Sequence, residues 1–234
     1  MPIAALLACA AAPIAFWFLW IRRTDAASPE PRALLLRSYL LGGLATLPVL
    51  ALRPLLDALL LGAGYVAWRD AFLVTAPLEE ICKLLAVALA VGLSRHFDEP
   101  LDGIVYGACA ALGFASVENV VYALDAEDAR LATLRGFTAT LAHVASSGIA
   151  GLGLALTRLG CRRPRVLALA AGLLGATLLH GAYDLGLAQR EGLARFALIT
   201  VLPGAFVALG LAVRCAQRSA CGAARARSGV GRAV

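Results

Sequence analysis

The chain has 234 residues, 61% hydrophobic and 15% charged, with a formal net charge of +6 and a mean hydropathy of +0.81. An ordinary soluble chain is about 45–50% apolar and about 25% charged, and a globule of this size has too little polar surface to coat so much apolar side chain. The composition excludes a soluble enzyme, a disordered chain and a nucleic-acid binder, and predicts an all-α, polytopic transmembrane helix bundle.

A helix needs about 20 apolar residues to cross the hydrocarbon of a bilayer, and about seven stretches read as spans. The first is 2–21; Arg22 and Arg23 follow its apolar run instead of preceding it, unlike a cleavable signal peptide. A polar linker with two prolines covers 24–37. The second span is 38–52, where Arg53-Pro54 interrupts it; 55–68 is apolar again around Asp57, and either extends a long tilted helix or lies in the interface. The remaining spans are 71–93, 101–124, 136–157, 166–187 and 196–213. Residues 1–213 thus form a single integral membrane domain with its motif core at about 70–190. The basic tail 214–234, rich in Ala, Gly and Ser, is expected to be disordered and cytoplasmic. The six cysteines contain no CxxC and read as small apolar packing residues. There is no internal repeat and no β-barrel alternation.

Arginine placement sets the orientation. One set of alternating connections, with the tail, holds 14 arginines and the other holds 6. The first set is expected in the cytoplasm, with the amino terminus outside and the carboxy terminus inside. The positive charge is then a topology signal whose contact is anionic lipid at the cytoplasmic face, not nucleic acid.

The spans also hold charges that a membrane disfavours. Lys83, the only lysine, lies in the third span with Glu79 and Glu80; the fourth carries Glu118, the fifth His143, the sixth His180 and Asp184. Each such group at a bilayer centre costs roughly 2.5–3.5 kcal/mol on insertion scales, so they must face one another, face water or hold an ion. Lys83 is four residues after Glu79 and three after Glu80, which puts all three on one helix face. His180 and Asp184 are likewise four apart, as are Phe114 and Glu118. Pro77 lacks a backbone proton and starts or kinks the helix just before the glutamates. Gly103, Gly107, Gly113, Gly148, Gly151 and Gly153 suit close helix approach in lipid. Bland readings suffice elsewhere: His96 as a solvated loop residue, Asp102 as a charge on a helix dipole, Asp125, Glu127 and Asp128 as a solvated face. Four helices sharing such groups exceed what packing requires.

Glu79-Glu80-x-x-Lys83, Phe114-x-x-x-Glu118 and His180-x-x-x-Asp184, in that order on three spans, resemble the PrsW family of intramembrane proteases. That family is similar in turn to the group containing CAAX prenyl proteases and bacteriocin-processing proteins, which carries Arg, Phe-x-x-x-His and His-x-x-x-Asn instead. At Lys83, Glu118 and Asp184 this chain has the PrsW form. The resemblance implies an intramembrane endopeptidase that cuts a single-span, membrane-anchored regulator of the anti-sigma-factor kind.

Peptide hydrolysis needs an activated water and a stabilised oxyanion. A carboxylate in a partly dry pocket is a suitable general base, which points to Glu79 or Glu80, with Lys83 orienting the pair. His180 is placed for oxyanion stabilisation or proton transfer, Asp184 fixes its environment, and Glu118 and His143 complete the pocket. A metal-assisted route is the alternative: His143, His180, Glu118 and Glu80 are acceptable ligands for a divalent ion such as zinc, although HExxH is absent. The cofactor is then either none or a divalent metal. The same charges also suit a proton or ion transporter, though without matching halves, or a non-catalytic membrane sensor or scaffold. The depth of the charges, counted along each span at about 1.5 Å per residue, predicts that they meet at one level in the outer part of the bilayer.

Overall fold

The computed structural model describes residues 3–62, 64–125, 129–159, 165–188, 192 and 196–230. Among these the chain is helical and has no strand: α1 (Ile3–Thr24), α2 (Arg32–Leu44), α3 (Thr46–Leu56), α4 (Ala67–Arg69), α5 (Ala76–Val91), α6 (Pro100–Asp125), α7 (Ala129–Leu159), α8 (Arg165–Ala188) and α9 (Leu202–Val230). Glu127, Asp128, Arg162, Arg163, Arg190 and Arg195 lie outside the described residues.

Five described helices are long and apolar enough to cross a membrane: Arg32–Leu61, Pro100–Leu124, Gly136–Leu159, Val166–Ala188 and Ile199–Gln217. The expected third span is α5 with the turn before it. Glu79, Glu80 and Lys83 crowd into its 16 residues, which lowers its apolar character. The first expected span falls on α1, 22 residues long. The last helix is drawn through Val230, over much of the segment whose composition predicts disorder; Ala and Arg are both good helix formers.

Arg53-Pro54 does not break the second span. The helix runs on to Leu61, ending in a π-turn over Asp57–Leu61 and a Gly62 at φ 61°, which favours glycine. Of the two readings open for 55–68, the long helix therefore holds as far as Leu61. Arg53 is tolerated because its charge is met on three sides: Nε donates to Asp57 at 2.7 Å, Nη1 donates to Thr75 Oγ1 at 2.8 Å, and Nη2 pairs with Asp70. A second π-turn, Asp70–Thr75, leads into α5. Pro77 has no N–H to offer the carbonyl one turn back, so the regular ladder cannot run through this point.

α6 and α7 form the centre: most of the apolar stretch of each is buried within the protein, and little of Arg32–Leu61 is. Small residues let their backbones meet. A Cβ on Gly103 would strike the carbonyl of Gly151, and one on Gly151 the carbonyl of Gly103; Gly107 lies equally close to Ser147. α2 approaches α6 in the same way, with Gly42 against Ala110 and Gly113 against Tyr39. In lipid, where apolar burial gives no advantage between helices, this contact and interhelical hydrogen bonds drive association. Cys82 and Cys109 pack in the interior as small apolar residues, and Cys215 is exposed.

The two ends of the bundle are tied differently. At one end Arg158, on α7, donates to the carbonyls of Val91 at 3.1 Å and Ser94 at 2.7 Å and also to Gly92. Gln217 reaches Thr24 O at 3.0 Å, and the Tyr106 hydroxyl donates to Glu30. Asp102 does more than answer a helix dipole: its Oδ2 accepts the N–H groups of Asp98 at 2.9 Å and Glu99 at 2.6 Å, pinning the loop before α6. Burial raises the pKa of Asp25 and Glu30 in the α1–α2 connection. At the other end lies the Arg53 network.

Close approach of α6 and α7 is directly testable. Gly151→Val should lower stability by about 1–3 kcal/mol through overpacking, read as a fall in thermal unfolding temperature in detergent. Gly204→Val, on α9 with open space around it, should leave that temperature nearly unchanged.

Candidate active site

Seven ionisable side chains singled out from the sequence come together from four helices. α5 supplies Glu79, Glu80 and Lys83 from consecutive turns. Lys83 Nζ lies 2.6 Å from Glu80 Oε1, 3.6 Å from Glu79 Oε2 and 3.0 Å from His143 Nδ1 on α7, and it sits over the Phe114 ring at 4.7 Å. His180, on α8, is 2.9 Å from Glu80 Oε1 through Nδ1. Its Nε2 faces Glu79 Oε2 at 3.7 Å and Asp184 Oδ2 at 3.4 Å. His143 Nε2 meets Glu118 Oε2, on α6, at 2.5 Å, and the two imidazoles stack edge-on with centroids 4.7 Å apart. His96 stays in its loop, exposed, away from this centre.

The proton positions follow from the partners. An ammonium only donates, so His143 Nδ1 accepts from Lys83 and its Nε2–H donates to Glu118. His180 donates Nδ1–H to Glu80. Its Nε2 then confronts two carboxylate oxygens, a contact that a proton on any of the three atoms or a metal ion among them would satisfy. Glu79 Oε2 is buried there without a hydrogen-bond partner.

The two adjacent glutamates are therefore not equivalent. Glu80 is the more fully engaged: Oε1 meets Lys83 and His180, and Oε2 accepts from the Ser147 hydroxyl at 2.8 Å. Its side chain and that of Lys83 are 0% exposed, whereas Glu79 is 11%, Glu118 22% and Asp184 29% exposed. The cluster runs from a sealed Lys83–Glu80 base to three carboxylates at a more open mouth. Ser147 was missed in the sequence, although it stands four residues after His143 and so on the same face of α7. Asn119, which donates to Thr140 at 3.1 Å, braces α6 against α7 beside the site.

The residues fit a metal ion. Ligand atoms of Glu79, His143 and His180 lie within 4.8 Å of one another, a His/His/Glu set known to hold zinc. The Nδ1–H of His180 is held by a second carboxylate, the support that metal-bound histidines use. The ligand group contains Glu79 where the sequence suggested Glu80, whose oxygens are engaged by Lys83, His180 and Ser147. Glu118 reaches the group through its bond to His143. Coordination by His143 at either nitrogen requires it to release Lys83 or Glu118.

Polytopic helices around a buried Glu/His/Lys centre define an integral membrane protein with the parts of a hydrolytic site. The profile of the PrsW family intramembrane metalloproteases matches residues 30–213. Protease PrsW of Bacillus subtilis is 35% identical over 155 residues, 66% of this chain and 70% of that protein. Protease PrsW of Geobacillus kaustophilus is 35% identical over 71% of this chain and 72% of its own length, and that of Clostridioides difficile 32% identical over 74% of each. No solved structure matches the chain. The chain belongs to the PrsW family; it is an intramembrane peptidase and a multi-pass membrane protein.

Removing one partner of a buried ion pair costs about 3–5 kcal/mol. Lys83→Met, which strands Glu80 and Glu79, should destabilise by that amount. Ser147→Ala, which removes one hydrogen bond to a charged group, should cost about 1.5–3 kcal/mol. Thermal unfolding of both variants, purified in the same detergent, checks the ranking.

Proposed function

We propose that this protease hydrolyses a single-span, membrane-anchored regulatory protein, of the anti-sigma-factor kind that the family resemblance implies, near the outer end of its transmembrane helix. The observation that carries the site assignment is Glu79 Oε2, buried without a hydrogen bond and facing His180 Nε2, beside a Glu80 carboxylate already engaged by Lys83, His180 and Ser147. Glu79, His143 and His180 would hold a divalent cation, which when bound lowers the pKa of a water and polarises the scissile carbonyl. The chain's own groups do the rest. Glu118, partly exposed and held by His143, takes the proton from the attacking water and returns it to the leaving amine. Glu80 holds the His180 ring through its Nδ1–H, and Asp184 stands beside the Nε2 that would meet the cation. Lys83 fixes Glu80, so that His180 keeps its tautomer and angle.

One observation favours a second reading without metal. Both nitrogens of His143 are already engaged, by Lys83 and Glu118. In that reading Glu79 is the base and protonated His180 stabilises the oxyanion.

Cleavage of a tagged single-span substrate by purified protein in detergent, with and without chelator, separates the two. Activity lost on chelation and restored by zinc supports the first reading; activity indifferent to chelator supports the second. In both, Glu79→Ala and His180→Ala should reduce cleavage by roughly a thousandfold, with the protein still in the membrane. Glu80→Gln should reduce it by about 10–100-fold, and His96→Ala should leave it unchanged. Full activity in the Glu79 and His180 variants would remove the proposed site.

The proposed orientation is amino terminus out and carboxy terminus in, from the 14-to-6 arginine distribution. The tied end bearing Arg158 then faces the cytoplasm, and the mouth lies nearer the opposite end. A reporter fused after Val234 should be active only if it is one that works in the cytoplasm. Mass spectrometry of the products should place the cut in the outer part of the substrate helix. A cut in the cytoplasmic third would defeat the depth argument.

A further inference from the structure

A groove of about 840 Å³ runs along the lipid-facing side of the bundle between α1, α2 and α6. Its floor is a stripe of α6, Cys109, Leu112, Ser116 and Val120, at the three- and four-residue spacing of one helix face. Among the described residues, the charged ones lining it are Arg22, in the last turn of α1, and Arg32, the first residue of α2. The Nη1 of Arg22 is shut off from solvent and has no hydrogen-bond partner. The neighbouring acids do not complete it: Asp25 Oδ2 accepts the Glu30 N–H at 2.9 Å, its Oδ1 meets no donor, and the Glu30 carboxylate is taken by Tyr106. Two arginines, one in the last turn of α1 and one at the start of α2, both lining an otherwise apolar channel, match a phosphate head carrying an acyl chain.

The groove does not lead to the active site. Successive helical residues turn by about 100°, so Glu118 points about 200° away from Ser116, and Phe114, one turn before Glu118, lies on its side. A peptide in the groove would have the body of α6 between it and Glu79. Tyr39 and Ser116, joined at 2.7 Å, help close this side.

We propose that this groove binds one anionic phospholipid, its phosphate between Arg22 and Arg32 and an acyl chain along the Cys109–Val120 stripe. The two arginines come from either side of the α1–α2 connection, so the lipid clamps α1 and α2 on the face of α6 opposite the active site.

Native mass spectrometry of the purified full-length protein with added phosphatidylglycerol or phosphatidylcholine tests this. Phosphatidylglycerol should be retained in preference to phosphatidylcholine. The double variant Arg22→Ala/Arg32→Ala should retain phosphatidylglycerol about thirtyfold less well, and Arg95→Ala, an exposed loop arginine, as well as the unaltered chain. Ala15→Trp, on an exposed groove position of α1, fills the channel without touching either arginine and should reduce retention of both lipids. Thermal unfolding without added lipid confirms that the variants are folded. Equal retention of the two lipids by the unaltered protein overturns the proposal, as does undiminished phosphatidylglycerol retention by the folded double variant or by Ala15→Trp. A photo-crosslinker at Ala15 in cells should give an adduct of lipid mass; one of protein mass would make the groove a helix-docking surface and overturn it too.

Discussion

A lysine and a glutamate, both sealed from solvent, sit 2.6 Å apart in the middle of an apolar bundle. Neither ion is tolerable alone in such a medium, and their attraction offsets desolvation only if the remaining protons and lone pairs are also met. This requirement draws in the rest. Lys83 needs further partners and finds His143, Glu79 and the face of Phe114; Glu80 needs further donors and finds His180 and Ser147. The pair thus recruits side chains from α6, α7 and α8 onto α5. The ionic core and the site geometry are one arrangement, not two.

That arrangement demands backbones close enough for short side chains to touch. Glycines at the α6–α7 and α2–α6 contacts provide the approach, and the central position of α6 and α7 follows from it. Glu118 and His143 face each other across the same α6–α7 seam that Gly103, Gly107 and Gly151 close. A seam wider by one methyl group would separate the pair. The proline-linked π-turn ahead of α5 sets where the Glu79–Lys83 face points, and the Arg53–Asp70 contact holds that turn to α3. Irregular helical turns are frequent at functional sites for this reason: they re-aim a face without breaking the helix.

Within the site, saturation and openness are divided along one axis. The sealed end fixes orientation, and the exposed end leaves unfilled coordination around Glu79 and His180. A hydrolytic site needs both, because rigid groups hold the geometry while at least one group must stay free to meet water or an ion. The groove on the opposite side of α6 shows a related pattern. There too charge stands beside an apolar surface, but two arginines line a channel open to lipid, so the proposed partner is an anion.

The sequence alone determined that this is a helical membrane protein, because hydropathy and the absence of strand alternation are properties of composition and order. It also gave every ionisable member of the cluster, since charges in apolar spans are conspicuous and three- and four-residue spacings are legible without a fold. The glycines of the close seams were visible on the same grounds. The helix through Arg53-Pro54 is only one of two readings the sequence allows, because a proline reads as a break until the partners that stabilise its neighbouring arginine, Asp70 and Thr75, are brought from another helix. Asp102 was read as a dipole charge because its loop partners are backbone groups that no pattern marks. The difference between Glu79 and Glu80 lay beyond the sequence too. Adjacent residues on a helix point about 100° apart, and only the packing of α7 and α8 decides which of the two meets Ser147 and Lys83 and which is left facing the gap.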